Sequence, residues 1–209
     1  MSGKFSKIVV LCAVAGMLAL AEQSWGEEKE KLSKEEYIEK ALEQHTSFDF
    51  EETLLKEVVN YLSEQHDIEI VLDGRALSDV GLDPESPITC RLRQVKLRSA
   101  LNLLLRDLDM TYLVRDEVLQ ITTSAAAKER LDTKVYAVTK LTGNCGEKLE
   151  KLVEIITTCI DQESWMDVGG AGSIRPLVLG DQSVLIVSQT YKTHRKLDAL
   201  LDKLHAVAK

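Results

Sequence analysis

The chain has 209 residues and a net charge of −8 at pH 7, with 34 acidic against 26 basic side chains. The length allows one domain or two small ones. The acidic balance argues against a nucleic-acid-binding protein, because contacts to a phosphate backbone require clustered cations.

The first 21 residues have the pattern of a secretory signal peptide. Lys4 and Lys7 precede an almost wholly apolar run over residues 8–20, which ends in a small-residue Ala-Leu-Ala sequence. The run is shorter than the roughly 20 residues that span a membrane, although an uncleaved anchor remains the alternative. We therefore expect a mature periplasmic chain that begins at Glu22 with a net charge of −10. Association with the outer membrane stays open, with at most peripheral membrane contact.

Residues 22–45 are predicted to be a charged leader followed by a short helix. Residues 22–32 are rich in charge and poor in apolar side chains, which indicates a flexible segment. Ser33 and Glu36 have the spacing of a capping box, and apolar residues then recur at helical spacing. A partner-binding helix and a lead-in helix packed on the first domain both fit this pattern, and the second is preferred.

Residues 46–123 are predicted to form a first α+β module. Phe48 and Phe50 mark a short strand, and Thr53 is placed to cap the helix that follows. The remaining predicted elements are a strand at 68–72, a loop at 75–87, a strand at 88–92, a helix at 97–108 and two strands around an Asp116-Glu117 turn. The order is β-α-β-β-α-β-β.

Residues 131–209 repeat this kind of pattern after a linker at 124–130. Asn144 followed by Glu147 resembles a helix start, and Thr190 is placed to cap the last helix. A hairpin over residues 174–188 turns at about Gly180-Asp181. The order of this second module is β-α-β-β-α. The fold class predicted for the whole chain is α+β, with two small modules in tandem.

Four cations lie close together at the end of the third predicted strand: Arg91, Arg93, Lys96 and Arg98. They fit either a solvated face, which is the default, or a surface that binds an acidic partner. The nearest downstream acids, Asp107 and Asp109, are more than two helical turns from Arg98 and are poorly placed to neutralise the group. The cluster is therefore the first candidate for partner contact.

Trp165 and His194 are the other side chains that invite a functional interpretation. Trp165 precedes a glycine loop and is either a core anchor or a partner-contact residue. His194, with Ser183 and Ser188 nearby in sequence, could belong to an exported hydrolase, but no G-x-S-x-G elbow is present. A partly buried helix residue is the preferred role for His194. The histidines and cysteines lack the short spacings of a zinc site, so no catalytic, cofactor or metal residue is predicted.

Three cysteines follow the signal peptide: Cys90, Cys145 and Cys159. An odd number cannot form a closed disulfide framework. Cys145 and Cys159 could pair in an oxidising compartment. Buried free thiols are preferred, because Cys90 and Cys159 lie in apolar periodicities.

Two glycine pairs have the G-x-x-G spacing of the loop with which nucleic-acid-binding KH domains clamp a backbone: Gly143 with Gly146, and Gly169 with Gly172. In KH domains that loop connects two helices. Neither pair is predicted to lie between two helices here. The glycine-rich run at residues 169–173 also lacks the Gly-Lys-Ser/Thr ending of a P-loop and is expected to be a flexible loop.

Several of these motifs resemble the N-terminal domains of secretins. F-x-F at residue 48, I-x-I-V-L-D at residue 68, V-x-L-x-x-A-L at residue 95 and Y-x-V at residue 112 are similar to the short N-terminal (STN) domain of secretins and TonB-dependent transducers. The strand VLIVSQT, followed by the helix YKTHRKLDALLDKL, resembles the KH-like domain that comes next in secretins. Together the resemblances cover about residues 44–207.

The resemblance implies a non-catalytic protein that acts by contact. Secretin modules pack into rings or meet partners through sheet edges and helix faces, and they have no catalytic residues to transfer. The expected function is an accessory or scaffold for an envelope partner, either a secretin-like or barrel protein, or for self-association. A soluble signalling adaptor resembling the transducers' domain is the alternative. We expect no nucleic acid, cofactor or small-molecule substrate, and no pore formed by this chain alone.

Overall fold

The computed structural model describes residues 32–208. The predicted signal peptide and most of the charged leader, including Trp25, lie outside the described residues. The fold is α+β, as predicted. No helix in the described part is long and apolar enough to cross a bilayer.

Helix α1 (Lys34–Leu42) opens the described fold. Its capping box is formed as predicted: the Glu36 backbone N–H donates to the Ser33 hydroxyl, and the Glu36 carboxylate accepts from the Ser33 N–H. Ile38 and Leu42 on its inner face are buried in the core of the first module. The helix is therefore an integral part of that core, as the preferred lead-in interpretation expected.

The first module contains two small sheets and the helices that cover them. Its elements are β1 (His45–Leu54), α2 (Leu55–His66), β2 (Ile70–Leu72), α3 (Gly74–Asp79), β3 (Pro87–Lys96), α4 (Leu97–Arg106), β4 (Met110–Arg115) and β5 (Val118–Thr123). Strands β1 and β3 form an antiparallel ribbon. The second sheet has the order β2-β5-β4, with β2 parallel to β5. The predicted turn between β4 and β5 is confirmed, and Asp116 and Glu117 both adopt positive φ there.

Three local details in this half of the chain differ from what the sequence indicated. Thr53 does not cap α2, because it pairs with Ile88 within the ribbon and Leu54 occupies the N-cap. The predicted loop at 75–87 begins with α3, whose first turn is capped by the Asp73 carboxylate accepting from the Ala76 N–H at 3.2 Å. The predicted linker contains helix α5 (Ser124–Glu129), whose alanines favour helix.

The second module is built on one antiparallel sheet of order β6-β8-β7. Its elements are β6 (Asp132–Ala137), α6 (Thr139–Thr142), α7 (Gly146–Cys159), two 3₁₀ turns (Gln162–Ser164 and Met166–Val168), β7 (Ser173–Leu179), β8 (Gln182–Gln189) and α8 (Tyr191–Val207). The turn at Gly180 and the Thr190 cap of α8 are confirmed, and the Thr193 N–H donates to the Thr190 hydroxyl. This module has its own core, separate from that of the first.

The start of α7 differs from the prediction. Cys145, not Asn144, is the N-cap, and the Asn144 amide instead donates to the Asp181 carboxylate at 3.4 Å. The unpredicted helix α6 lies just before it. Consequently the segment that runs from Gly143 to Gly146, the first residue of α7, does connect two helices, which corrects the opposite expectation. Gly143 has a φ of 58°, a value that favours glycine.

Candidate interaction surface

The first two predicted partner-contact residues lie on the exposed side of the β1–β3 ribbon. Arg91 stands opposite Asp49 in the strand register, and its guanidinium pairs with that carboxylate at 2.7 Å. Arg93 is exposed on the same strand, and none of the ion pairs among residues 32–208 includes it. Arg93 is therefore the cation of the predicted cluster that remains best placed for a partner.

The other two cations of the cluster are neutralised by acids of α1 and its C-cap. Lys96 pairs with Glu43 at 2.8 Å, and Arg98 pairs with Glu43 at 2.9 Å and with Glu39 at 3.0 Å. The hydrogen bond from Lys96 lowers the pKa of the Glu43 carboxyl despite the opposing effect of burial. The Arg98 side chain is only 19% exposed. Arg98 is therefore part of the internal structure, which differs from its predicted role in a surface cluster.

Glu39 connects the two modules through a polar network. Besides Arg98, its carboxylate accepts a hydrogen bond from the Tyr191 hydroxyl at 2.7 Å and pairs with Arg195 at 3.0 Å. Tyr191 and Arg195 lie on the first turns of α8, and the Tyr191 ring packs against the core of the first module. The strand-to-helix segment that resembles secretin domains thus anchors the second module to α1.

Trp165 is a core residue. Its side chain is 1% exposed, and its indole N–H donates to the Ile160 carbonyl at 2.7 Å. Of its two predicted roles, the structure supports the core anchor, because a side chain this deeply enclosed offers no contact area to a partner.

His194 is fully buried rather than partly buried as predicted. Its Nε2 lies 2.8 Å from the Asp132 backbone carbonyl, and its Nδ1 lies 2.8 Å from the Tyr136 hydroxyl. Since a carbonyl can only accept, Nε2–H donates to Asp132 and Nδ1 accepts from Tyr136. Burial lowers the pKa of the imidazole. Both ring nitrogens are thus occupied in holding α8 to β6, and neither is free to act as a base.

Because the His194 imidazole is buried, we predict that the free energy of unfolding depends on pH. Its lowered pKa means that the unfolded chain takes up a proton near pH 6.5 while the folded chain resists it. The free energy of unfolding should therefore decrease as the pH falls below about 6.5. Urea unfolding at about pH 7.5 and 5.5 should show a smaller decrease for His194→Gln than for the wild-type chain. An equal decrease would contradict this assignment, and His205→Asn on the last turn of α8 is the control.

Among residues 32–208, one side of the second module's sheet is left without a covering helix. Helices α7 and α8 belong to the core on the other side, where Ile174, Leu185 and Val187 are buried. The strand register assigns a further set of side chains to the opposite side, which we call the open face: Thr133, Val135, Ala137, Ser173, Arg175, Leu177, Leu179, Gln182, Val184, Ile186 and Ser188.

The open face is largely apolar and partly accessible. Val135 is 65% exposed and Leu179 is 58% exposed, and Leu177 is also exposed. Val184 and Ile186 lie on the central strand between these outer side chains. Large apolar side chains clustered in this way typically mark an interaction site. The run Val-Leu-Ile-Val of β8 is the sequence signal that could have indicated this face. A continuous apolar strand is typical of a sheet that is buried on both faces.

A polar cleft of about 620 Å³ lies between α5, the first 3₁₀ turn and the start of α8. Part of its wall is the glycine-rich run, and its lining includes Asp161, Gln189 and Lys192. A Cβ at Gly172 would come within 2.0 Å of the Gln189 amide, and one at Gly170 within 2.1 Å of the Ser164 backbone. These glycines are required by close packing. No group of three potential metal ligands occurs in the described part of the chain.

The three thiols are free, and their positions correct the expected burial. Cys90 is half-buried, whereas Cys145 and Cys159 are exposed. The last two lie at opposite ends of α7, a helix of 14 residues and thus about 20 Å long. Their Cα atoms are therefore too far apart for the disulfide that the sequence left open, which requires less than about 7 Å.

Comparisons with known proteins do not assign a family. No family model matches the chain, and no curated protein matches it. Among solved structures, one similar chain belongs to the InvGN0N1:SpaPQR:PrgHK assembly from the Salmonella SPI-1 injectisome NC-base, with 8% identity and a TM-score of 0.31. The match covers 78% of this chain and 96% of that chain. At this level of likeness no function follows for the present protein.

Proposed function

We propose that the mature chain is an exported, non-catalytic protein–protein interaction module of the bacterial envelope. In this proposal it serves as a periplasmic accessory or scaffold built from two modules of the secretin N-terminal type. The single observation that carries the proposal is the exposed apolar open face of the β6-β8-β7 sheet. The sequence motifs that resemble secretin domains agree with it.

The physical reason lies in how sheets are stabilised. A sheet with apolar side chains on both faces gains stability when a second layer covers each face. Here α7 and α8 cover one face, and burial of the other by a partner would gain about 25 cal/mol for each Å² of apolar surface removed from water. This gain favours association and needs no reactive group.

The two edges of the same sheet differ in what they offer to a partner. Within the described chain neither β6 nor β7 pairs with a second neighbouring strand. Pro176 removes one backbone donor from β7, a common protection of edge strands. Strand β6 contains neither proline nor glycine. Any β-augmentation of this sheet would therefore be favoured at β6, where Val135 also contributes to the open face.

The surroundings of His194 and of the loop at Gly143 support a non-catalytic role that does not involve nucleic acid. His194 uses both ring nitrogens within the fold, and no serine in the described residues forms a hydrogen bond with it. The loop between Gly143 and Gly146 is exposed, but Glu147 and Asp181 lie beside it and the whole chain is acidic. Acidic side chains oppose binding to phosphates. We expect no gel shift with single-stranded nucleic acid at low salt.

Envelope capture with matched variants tests the proposal. The mature chain is immobilised as wild type, Val135→Glu, Leu177→Glu and the control Leu103→Glu, which changes an exposed leucine of α4 in the other module. Charge on the open face should reduce recovery of the bound protein by at least about tenfold, equivalent to roughly 1.4 kcal/mol. The control should capture as the wild type does.

Circular dichroism checks that every variant in this set is folded. Equal capture by the wild type and both open-face variants would overturn the proposal. So would a loss of capture that occurs only in the α4 control.

A further inference from the structure

Arg175 is the one charged side chain on the open face, as the eleven residues of that face show. It lies in register with Ile186 on the central strand, and Ile186 lies in register with Val135 on the far strand. None of the ion pairs among residues 32–208 includes Arg175. A fixed positive charge thus lies within an otherwise uncharged and mainly apolar surface.

This charge restricts what can cover the face. A guanidinium removed from water is tolerated when it is paired with a carboxylate. The open face carries no acidic side chain of its own. A second copy packed face to face would therefore enclose two Arg175 side chains without supplying a carboxylate from that surface. Charge complementarity favours a different protein, one that brings an acidic side chain into an apolar surface.

The dimensions of the face favour a helix as the covering element. The three strands are six to eight residues long, which corresponds to roughly 20–27 Å. A helix of about 16 residues, roughly 24 Å long, matches this length. The same sheet already packs α7 and α8 against its other side, which gives the helix-on-sheet layering that apolar sheets commonly adopt.

We propose that the open face binds an amphipathic helix of a partner protein, whose apolar stripe carries one carboxylate that pairs with Arg175. This inference rests on the proposed function, because it names the kind of partner that the interaction module recognises. Val135, Leu177 and Leu179 would pack against the apolar stripe, and Arg175 would select for the acid.

Synthetic peptides provide a defined probe for this proposal. Three labelled helical peptides of about 16 residues share a leucine and alanine stripe and differ at one central stripe position, which is Glu, Gln or Lys. Fluorescence anisotropy with the full mature chain should give an affinity for the Glu peptide at least about tenfold higher than for the Lys peptide, and the difference should shrink with added salt. Arg175→Glu should reverse the order, Val135→Ser, which removes apolar area without adding a charge, should weaken all three peptides, and Leu103→Glu should change none.

The results that would overturn this inference can be distinguished from those that would overturn the proposed interaction function. Equal affinities for the Glu and Lys peptides would overturn the role of Arg175. A dimer in light scattering that Val135→Glu abolishes would overturn the partner helix and assign the face to a second copy. If no peptide binds while envelope capture still depends on Val135, the helix inference fails and the interaction function stands.

Discussion

Replacing Trp165 with alanine is expected to lower the free energy of unfolding by about 3–5 kcal/mol, the usual cost of deleting a large buried aromatic side chain. The indole is enclosed by the core of the second module and satisfies the Ile160 carbonyl. The substitution would leave a cavity and an unpaired acceptor together. Urea denaturation followed by circular dichroism measures the change.

Two variants control this experiment. Trp165→Phe should cost less, because most of the volume is retained and only the hydrogen bond to Ile160 is lost. Met166→Ala, at the exposed neighbouring position, should change the free energy of unfolding by no more than about 0.5 kcal/mol. A loss below about 1 kcal/mol for Trp165→Ala would contradict the assignment of Trp165 as a core anchor.

The second large effect is expected for Glu39→Gln, with a loss of roughly 2–4 kcal/mol. Removing one member of a buried ion pair costs about 3–5 kcal/mol, and the lower figure applies because the Glu39 side chain is 26% exposed. The change removes one of the two carboxylates beside Arg98 and Arg195, the one that also accepts from the Tyr191 hydroxyl, while Glu43 stays 2.9 Å from Arg98 and 3.8 Å from Arg195. The loss arises mainly because Glu43 alone must then balance two partly buried guanidinium groups.

The matched control is Glu35→Gln, an exposed acid in the first turn of the same helix. It should cost no more than about 0.5 kcal/mol. Tyr191→Phe should add little to Glu39→Gln in the double variant, because the two side chains interact directly. Equal effects of Glu35→Gln and Glu39→Gln would show that the network between the modules contributes no stability.

Features set by neighbouring residues could be predicted from the sequence. The capping box at Ser33, the Thr190 cap and the turns at Asp116-Glu117 and Gly180 each depend on a few adjacent side chains, and all four are confirmed. The α+β class follows from the same local periodicities. Local rules failed where a residue was also used by a distant strand, as for Thr53, which pairs with Ile88 instead of capping α2.

The surface could not be predicted to the same extent, because it depends on contacts between distant parts of the chain. The acids that neutralise Lys96 and Arg98 lie 53 to 59 positions upstream, whereas the sequence argument considered only downstream acids. The open face needs the strand register, which brings Val135 beside Ile186 and Leu177 beside Val184. Composition and periodicity do not supply that register.

Amide hydrogen exchange on the captured complex tests the central claim most directly. The mature chain is compared alone and bound to its envelope partner. The interaction function predicts slower exchange concentrated in β6, β7 and β8, with the strongest effect around Val135 and Leu177. Protection confined to the β1–β3 ribbon around Arg93, or to the polar cleft at Asp161 and Gln189, would contradict the claim that the open face is the contact surface.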